Sequence, residues 1–133
     1  MTMLRDETGL IGKIAIVWIL ILALLGVGAI DAASIAFTTY RLADVGSTAA
    51  GEGARVFERT RNVRDACERV TVIVEREDPT ARVVQGGCAV ERPTGQVTVE
   101  VRKKASTLVA HRIPWTEDFA VVEVTETAGV PSL

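Results

Sequence analysis

The sequence has few of the residues from which catalytic and metal-binding sites are usually built. Its 133 residues include one histidine, His111, and two cysteines, Cys67 and Cys88, which do not form a Cys-x-x-Cys motif. This spacing argues against a redox-active dithiol and against a zinc site. The sequence also offers no recognisable acid–base pair, so we expect no enzymatic activity, no cofactor and no small-molecule substrate.

An excess of positive charge is missing as well. Lysine and arginine total 15, and aspartate and glutamate total 17, which gives a net charge of −2. Dedicated nucleic-acid-binding domains usually carry a clear basic excess, so we expect no nucleic-acid partner. The length allows one modest domain and argues against a large enzyme with a deep cleft between two domains.

What the sequence does contain is a long apolar run. Residues 14–30, IAIVWILILALLGVGAI, include no charged residue. As a helix this run rises about 25 Å, and residues 10–12 extend it toward the thickness of a bilayer core, about 30 Å, if Lys13 reaches the headgroups. We interpret the run as a retained membrane anchor. The alternatives are a cleaved secretory signal ending near residues 29–33, a buried core helix and an interfacial helix.

Basic residues on either side of the run indicate its orientation. Arg5 and Lys13 precede it, whereas the first basic residue after it is Arg41. The positive-inside rule therefore favours a single-pass protein of the cell membrane with a cytoplasmic N-terminus. We divide the chain into a cytoplasmic segment (1–13), a transmembrane helix (14–36), a helical stem (37–61) and an extracytoplasmic α+β domain (62–133).

The stem carries a stripe of small and medium-sized apolar residues. No proline occurs in residues 31–61, and the stripe has helical spacing, with members at Ile35, Leu42, Val45, Ala49, Gly53 and Val56. It packs either on the protein's own domain or against copies and partners. In the second case Asp31, Ile35, Leu42, Val45 and Ala49 form an assembly helix. The glycines at 46, 51 and 53 favour a break or kink in this region.

The outer domain begins with a second predicted helix. Asn62 is placed to cap a helix over residues 63–77, which ends before Pro79. Its apolar face consists of Ala66, Val70, Ile73 and Val74. The β-branched residues within 70–74 suit a strand as well, so a strand remains an alternative for that piece.

The rest of the domain predicts a small antiparallel sheet. We expect extended segments at 81–84, 88–92, 97–102 and 119–127, with Gly86-Gly87 as a turn or bulge and Pro93-Thr94-Gly95 as a hairpin loop. Ser106 is expected to cap a short helix over 107–112, with Leu108, Val109 and Ile113 facing inward. The predicted fold class is α+β: an N-terminal transmembrane helix and stem, then a helix packed on a three-stranded antiparallel sheet.

Several polar residues have both a structural and a chemical interpretation. Cys67 and Cys88 form either a disulfide or two buried free thiols. His111 suits the end of a short helix, where a cation is favoured. The acidic residues Glu75, Glu77 and Asp78 are either a weak Ca²⁺ site or a solvated surface. The sequence does not decide whether Trp115 is buried or exposed.

The order of these parts resembles the TadE/TadG-like family of pilin-related proteins of the bacterial tight-adherence (Flp pilus) secretion machinery. A short polar segment ends in Gly9, a long apolar helix follows, and the helix continues past Asp31 as GVGAIDAASIAFTTYRLADVGSTAAGEGARVF. The C-terminal part contains GQVTVEVRKKASTLVAHRI and FAVVEVTETAG. The resemblance covers nearly the whole chain.

The resemblance implies a processing junction between Gly9 and Leu10. The family carries a glutamate five residues after the cleaved glycine, and Ile14 occupies that position here. Both a processed minor pilin and an uncleaved membrane-anchored accessory protein are therefore compatible with the sequence. The implied partners are the lipid bilayer and either other pilin-like subunits or the inner-membrane secretion platform.

Three hypotheses of function follow. The first is a non-enzymatic pilin-like structural or accessory subunit. The second is a membrane-tethered extracytoplasmic binding module without a pilus role, which would use its β face or the loop around Pro114 and Trp115. A secreted enzyme is the third and has the least support in the sequence.

Overall fold

The elements follow one another in the order expected for an α+β protein. The computed structural model describes residues 3–129, without the side chains of residues 3–8, 111, 117 and 119. Helix α1 spans Met3–Thr60 and helix α2 spans Val63–Glu77. They are followed by strands β1 (Arg82–Glu91), β2 (Gln96–Lys104) and β3 (Val121–Ala128). Two short 3-10 helices, Ala110–Arg112 and Glu117–Ala120, lie between β2 and β3.

Helix α1 runs without interruption through 58 residues, so the predicted break near residues 46–53 is wrong. Two of the three glycines are sites of close packing instead. A Cβ added to Gly53 would lie 2.6 Å from Cγ2 of Val70 in α2, and one added to Gly46 would lie 3.1 Å from Cγ of Glu126 in β3. Glycine at these positions lets α1 approach α2 and the sheet closely.

Helix α2 has the predicted bounds and the predicted buried face. The Asn62 side chain accepts a hydrogen bond from the Arg64 N–H at 2.9 Å, which satisfies one of the free donors of the first turn. Ala66, Val70, Ile73 and Val74 are buried. The strand alternative for residues 70–74 is wrong, because helical spacing places all four apolar side chains on one face.

The three strands form an antiparallel sheet in the order β1-β2-β3. The two extended segments predicted at 81–84 and 88–92 belong to the single strand β1, which bulges against β2 between Val83 and Cys88. The loop between β1 and β2 spans residues 92–95, one residue longer than predicted, and its last residue, Gly95, has a positive φ of 75°.

The core lies between one face of the sheet and the two helices. Val97, Val99 and Val101 of β2 are fully buried, and they meet Leu42 and Ala49 of α1 in one cluster with the buried face of α2. The second half of α1 is therefore an integral part of the domain. The opposite face of the sheet carries polar residues, among them Thr98, Arg102 and Glu123.

The segment between β2 and β3 differs from the prediction. Instead of a helix over 107–112 it contains only the 3-10 helix Ala110–Arg112, and β3 begins at Val121. Leu108 and Val109, expected to face inward, are exposed. The short segment cannot offset the cost of nucleating an α-helix, and its backbone N–H groups are bound by another side chain.

Candidate functional site

The first half of α1 extends beyond the domain as an exposed apolar helix. Within residues 9–30, here called the apolar segment, every residue is exposed except the half-buried Val27. Leu24 is 73% exposed, and the large apolar side chains point to every side of the helix. A stable monomer in water rarely exposes so large an apolar surface, which makes this segment a candidate contact surface.

The same segment meets the requirements of length and composition for a membrane span. An 18-residue window of the helix reaches a mean hydropathy of 2.7, and none of that window is buried within the protein. In the part of the chain that the structure describes, α1 is the one helix that meets these requirements. Gly9 and Leu10, the possible processing junction, lie within α1 and are exposed.

The apolar segment meets the domain at Asp31. The carboxylate of Asp31 accepts hydrogen bonds from three consecutive backbone N–H groups: Leu108 at 2.6 Å, and Val109 and Ala110 at 3.1 Å each. Asp31 is only 8% exposed. A buried carboxylate is stable only when its oxygens are well bound, and a fan of three amide donors provides this.

A compact loop surrounds this contact. Residues 106–116, here called the junction loop, are held to α1 by Asp31 and by the Ser34 hydroxyl, which donates to the Ser106 carbonyl. Within the loop, the Thr116 hydroxyl donates to the carbonyls of Ala110 and Ile113. These bonds satisfy several of the loop's polar groups, and apolar side chains remain outside: Leu108 is 55% exposed and Trp115 is 80% exposed.

The predicted assembly stripe faces the protein's own domain. Leu42 and Ala49 are fully buried in the core, and Ile35 and Val45 are half-buried against it. Asp31 likewise contacts the chain's own junction loop. These five side chains therefore pack within the chain, as in the intramolecular alternative, and their role in assembly stays a prediction.

Cys67 of α2 and Cys88 of β1 form a disulfide. The alternative of two buried free thiols is therefore wrong. The bond joins residues 21 apart in the sequence and ties α2 to the strand that begins the sheet. Its effect is to restrict the unfolded chain and fix the position of α2, which is a structural role.

Of the acidic residues near the end of α2, Asp78 is bound by other groups of the protein. One oxygen of Asp78 accepts hydrogen bonds from the Thr80 N–H and hydroxyl, and the other binds the ammonium group of Lys103. Burial raises the pKa of Asp78, but these bonds outweigh it and lower the pKa from 3.8 to about 2. Among the described residues, no group of three metal-ligating side chains converges. The side chain of His111 lies outside the described residues.

A second set of charges lies on the exposed sheet face. The Arg102 guanidinium donates to Oε2 of Glu123 across β2 and β3 at 2.9 Å. A hydrogen bond to Glu123 raises the pKa of Glu100, and the Glu100 and Arg102 contacts lower the pKa of Glu123. The cross-strand geometry accounts for these contacts, so we assign this face a role in pairing the strands.

No protein-family model, no curated protein and no solved structure matches this chain. The candidate site is thus defined by the chain's own geometry: the apolar segment, Asp31 and the junction loop. The sequence indicated the apolar segment directly. It did not indicate that Asp31 binds a loop 77 residues away, and the one available signal was an acidic residue placed directly after the apolar run.

Proposed function

We propose that this chain is a non-enzymatic, single-pass membrane protein that serves as a pilin-like (TadE/TadG-like) structural or accessory subunit of a tight-adherence pilus or secretion system. One observation carries the proposal. A single uninterrupted helix presents an exposed apolar segment at one end and supplies part of the domain core at the other. The apolar segment and part of the domain core therefore belong to one continuous helix.

The dimensions of the apolar segment support a single crossing. Residues 10–30 rise about 31 Å as a helix, close to the thickness of a bilayer core, about 30 Å. Lys13 lies near one end and Asp31 directly beyond the other. With Arg5 and Lys13 on the N-terminal side, we place the N-terminus in the cytoplasm and the domain outside.

Rigid attachment favours an assembly role over a tethered binding module. A binding module gains reach from a flexible linker, and linkers are typically rich in glycine, serine or proline without regular structure. Here residues 31–57 continue α1 directly into the core without a flexible segment. A rigid helix fixes the height and rotation of the domain above the membrane, as packing against neighbouring subunits requires.

The surface available for assembly lies on the apolar segment itself. A Cβ added to Gly26 or Gly28 would meet no described atom within 4 Å, so both glycines face open space. Small residues of this kind let helices approach closely within a bilayer. We propose other pilin-like subunits or the inner-membrane secretion platform as the partners of this surface.

Site-specific photo-crosslinking in the native host membrane tests this proposal. A crosslinking residue at Leu24 should give adducts with further copies of the chain or with a secretion-platform protein. The matched control at Val72, which is 51% exposed on α2, should give few. If the Leu24 probe labels only lipid and deletion of the gene leaves pilus assembly intact, the tethered binding module is the better hypothesis.

The mature N-terminus separates the two forms of the proposal. Mass spectrometry of the membrane-extracted protein should begin at Leu10 for a processed minor pilin, and at or near Met1 for an uncleaved accessory subunit. A chain that begins near Asp31 and is found outside the membrane would contradict both forms, since the apolar segment would have been removed.

A further inference from the structure

The junction loop is fixed at a defined height relative to the apolar segment. Asp31 directly follows Ile30, the last residue of the apolar run, and its carboxylate holds the backbone of residues 108–110 within 2.6–3.1 Å. A helix rises 1.5 Å per residue, so these contacts place the loop within about one turn of the end of the apolar segment. If α1 spans the membrane as proposed above, the loop lies at the membrane–water boundary.

The exposed side chains of the loop suit that boundary. Leu108, Val109 and Trp115 are among the few large apolar side chains exposed on the domain side of Asp31. Arg112 in the same loop is exposed too. Tryptophan is enriched at membrane interfaces because its ring is apolar while its N–H still hydrogen-bonds, and arginine there reaches the lipid phosphates.

The polar groups of the loop are satisfied in a way that permits contact with lipid. Asp31 accepts hydrogen bonds from the backbone N–H groups of residues 108–110. The Thr116 hydroxyl donates to two of the loop's carbonyls. Unpaired backbone groups are costly where water is scarce. The loop therefore presents apolar side chains with much of its nearby backbone already bound.

We propose that the junction loop is a membrane-interface contact, in which Leu108 and Trp115 insert between the phospholipid headgroups of the bilayer crossed by α1. Asp31 is the positioning residue that holds the loop at that height. The contact adds a second attachment beside the helix, and two attachments fix the tilt and rotation of the domain over the membrane. This inference rests on the proposed membrane crossing.

Tryptophan fluorescence of the full chain in nanodiscs tests the inference, because the chain has two tryptophans, Trp18 and Trp115. In the Trp18→Phe variant, Trp115 should emit at shorter wavelength than in denaturant. Phosphatidylcholine brominated near the glycerol backbone should quench it strongly, and aqueous iodide only weakly. The matched control carries Val72→Trp with both native tryptophans changed to Phe.

The control position lies far from the proposed boundary. Val70 packs on Gly53, which is 22 residues beyond Asp31 and therefore about 33 Å farther along α1. A tryptophan at the neighbouring position 72 should be quenched by iodide and not by bromolipid. We expect quenching by bromolipid to be several-fold stronger at position 115 than at position 72.

The Trp115→Phe variant separates this inference from the proposed function. Its remaining Trp18 lies within the apolar segment and should be quenched by lipids brominated deep in the acyl chains. If Trp18 is quenched and Trp115 responds to iodide alone, the interface contact is wrong and the membrane crossing stands. If Trp18 is not quenched, the crossing itself is wrong.

A further variant tests the role of Asp31. In the Trp18→Phe background, Asp31→Asn offers the loop one acceptor oxygen in place of two charged ones. Quenching of Trp115 by bromolipid should fall several-fold while the far-ultraviolet circular dichroism stays unchanged. Full retention of the quenching in a folded Asp31→Asn variant would show that Asp31 does not position the loop.

Protection of Trp115 from both quenchers in nanodiscs with one chain each would also overturn the proposed contact.

Discussion

At the scale of single residues, Asp31 makes the most consequential contact of the molecule. One carboxylate satisfies the N–H groups of Leu108, Val109 and Ala110, although 77 residues separate Asp31 from the first of them. These bonds join the point where the apolar segment ends to a part of the domain that lacks regular α or β structure. No side chain other than a short acid combines two strong acceptors with this reach.

Replacing Asp31 with Ala should loosen the junction loop before it affects the rest of the fold. Three amide donors lose their acceptor, and we expect a loss of about 2–4 kcal/mol in the free energy of local opening. Hydrogen exchange measured by mass spectrometry should accelerate in peptides covering residues 106–112 and remain unchanged in β2. The control is Asp44→Ala, because Asp44 is exposed on the same helix. Unaltered exchange at residues 108–110 would contradict the assigned hydrogen bonds.

Asp78 gives the domain a predictable response to acid. Its pKa falls from 3.8 to about 2 on folding, so the folded state binds fewer protons than the unfolded state between these values. The stability gained, about 1–2 kcal/mol, is fully present above pH 4 and is lost as the pH falls toward 2. Lys103→Gln should remove most of this dependence, since it removes the ammonium group that binds the carboxylate.

Urea unfolding between pH 2 and 5 measures this effect. The control is Arg92→Gln in the exposed loop between β1 and β2, which should keep the wild-type pH profile. Glu100, with its raised pKa, titrates in all three proteins and therefore does not affect the comparison. A Lys103→Gln variant that loses stability toward pH 2 as steeply as the wild type would show that the ion pair does not control the pKa of Asp78.

At the scale of elements, regular side-chain periodicity was predictable from the sequence and long-range contacts were not. The helical spacing of Ala66, Val70 and Val74 gave α2, and the alternation at Val97, Val99 and Val101 gave β2, because each pattern places one apolar face on one core. The junction loop was predicted as a helix because Ser106 looks like an N-cap. The N–H groups it would have served are bound by a distant side chain.

The glycines of α1 also show that local sequence patterns do not reveal long-range contacts. Local propensity favoured a break in the helix, since glycine is a poor helix former. The helix is nevertheless continuous, because packing against α2 and the sheet supports it, and Gly53 is needed for that packing. Helix propensity describes a residue in isolation and contains no information about which neighbour will lie against it.

Two alanine substitutions two residues apart should therefore have opposite effects. Gly53→Ala places a methyl group 2.6 Å from Cγ2 of Val70, and we expect a loss of about 1–3 kcal/mol from the strain. Gly51→Ala meets no described atom within 4 Å, so it should gain up to about 1 kcal/mol from better helix propensity. Chemical denaturation of both variants measures the difference. Equal effects would mean that α1 and α2 do not approach as closely as described.

At the scale of the whole molecule, the helix and the domain cannot be separated where the sequence suggested a boundary. The predicted division between residues 61 and 62 lies where Asn62 caps α2, yet Leu42, Ala49 and Phe57 on the α1 side are buried. The core is shared between α1 and the elements that follow it. The natural division lies instead at Asp31, where the exposed apolar segment ends and packed side chains begin.

Two truncated chains distinguish these boundaries. A fragment that begins at Asp31 keeps the second half of α1, and it should be monomeric in water and unfold in one cooperative transition. A fragment that begins at Asn62 loses Leu42 from the core, and burying a leucine of this kind contributes about 2–5 kcal/mol. It loses Ala49 and Phe57 as well, and the total approaches the entire stability of a small domain, about 5–15 kcal/mol. The shorter fragment should therefore lack a cooperative transition and expose the valines of β2.

The control is the shorter fragment mixed with a peptide of residues 31–60, which should restore the transition if α1 supplies the missing core. Cooperative unfolding of the shorter fragment alone would show that α1 is an external stem, and the rigid coupling on which the assembly role depends would then be lost.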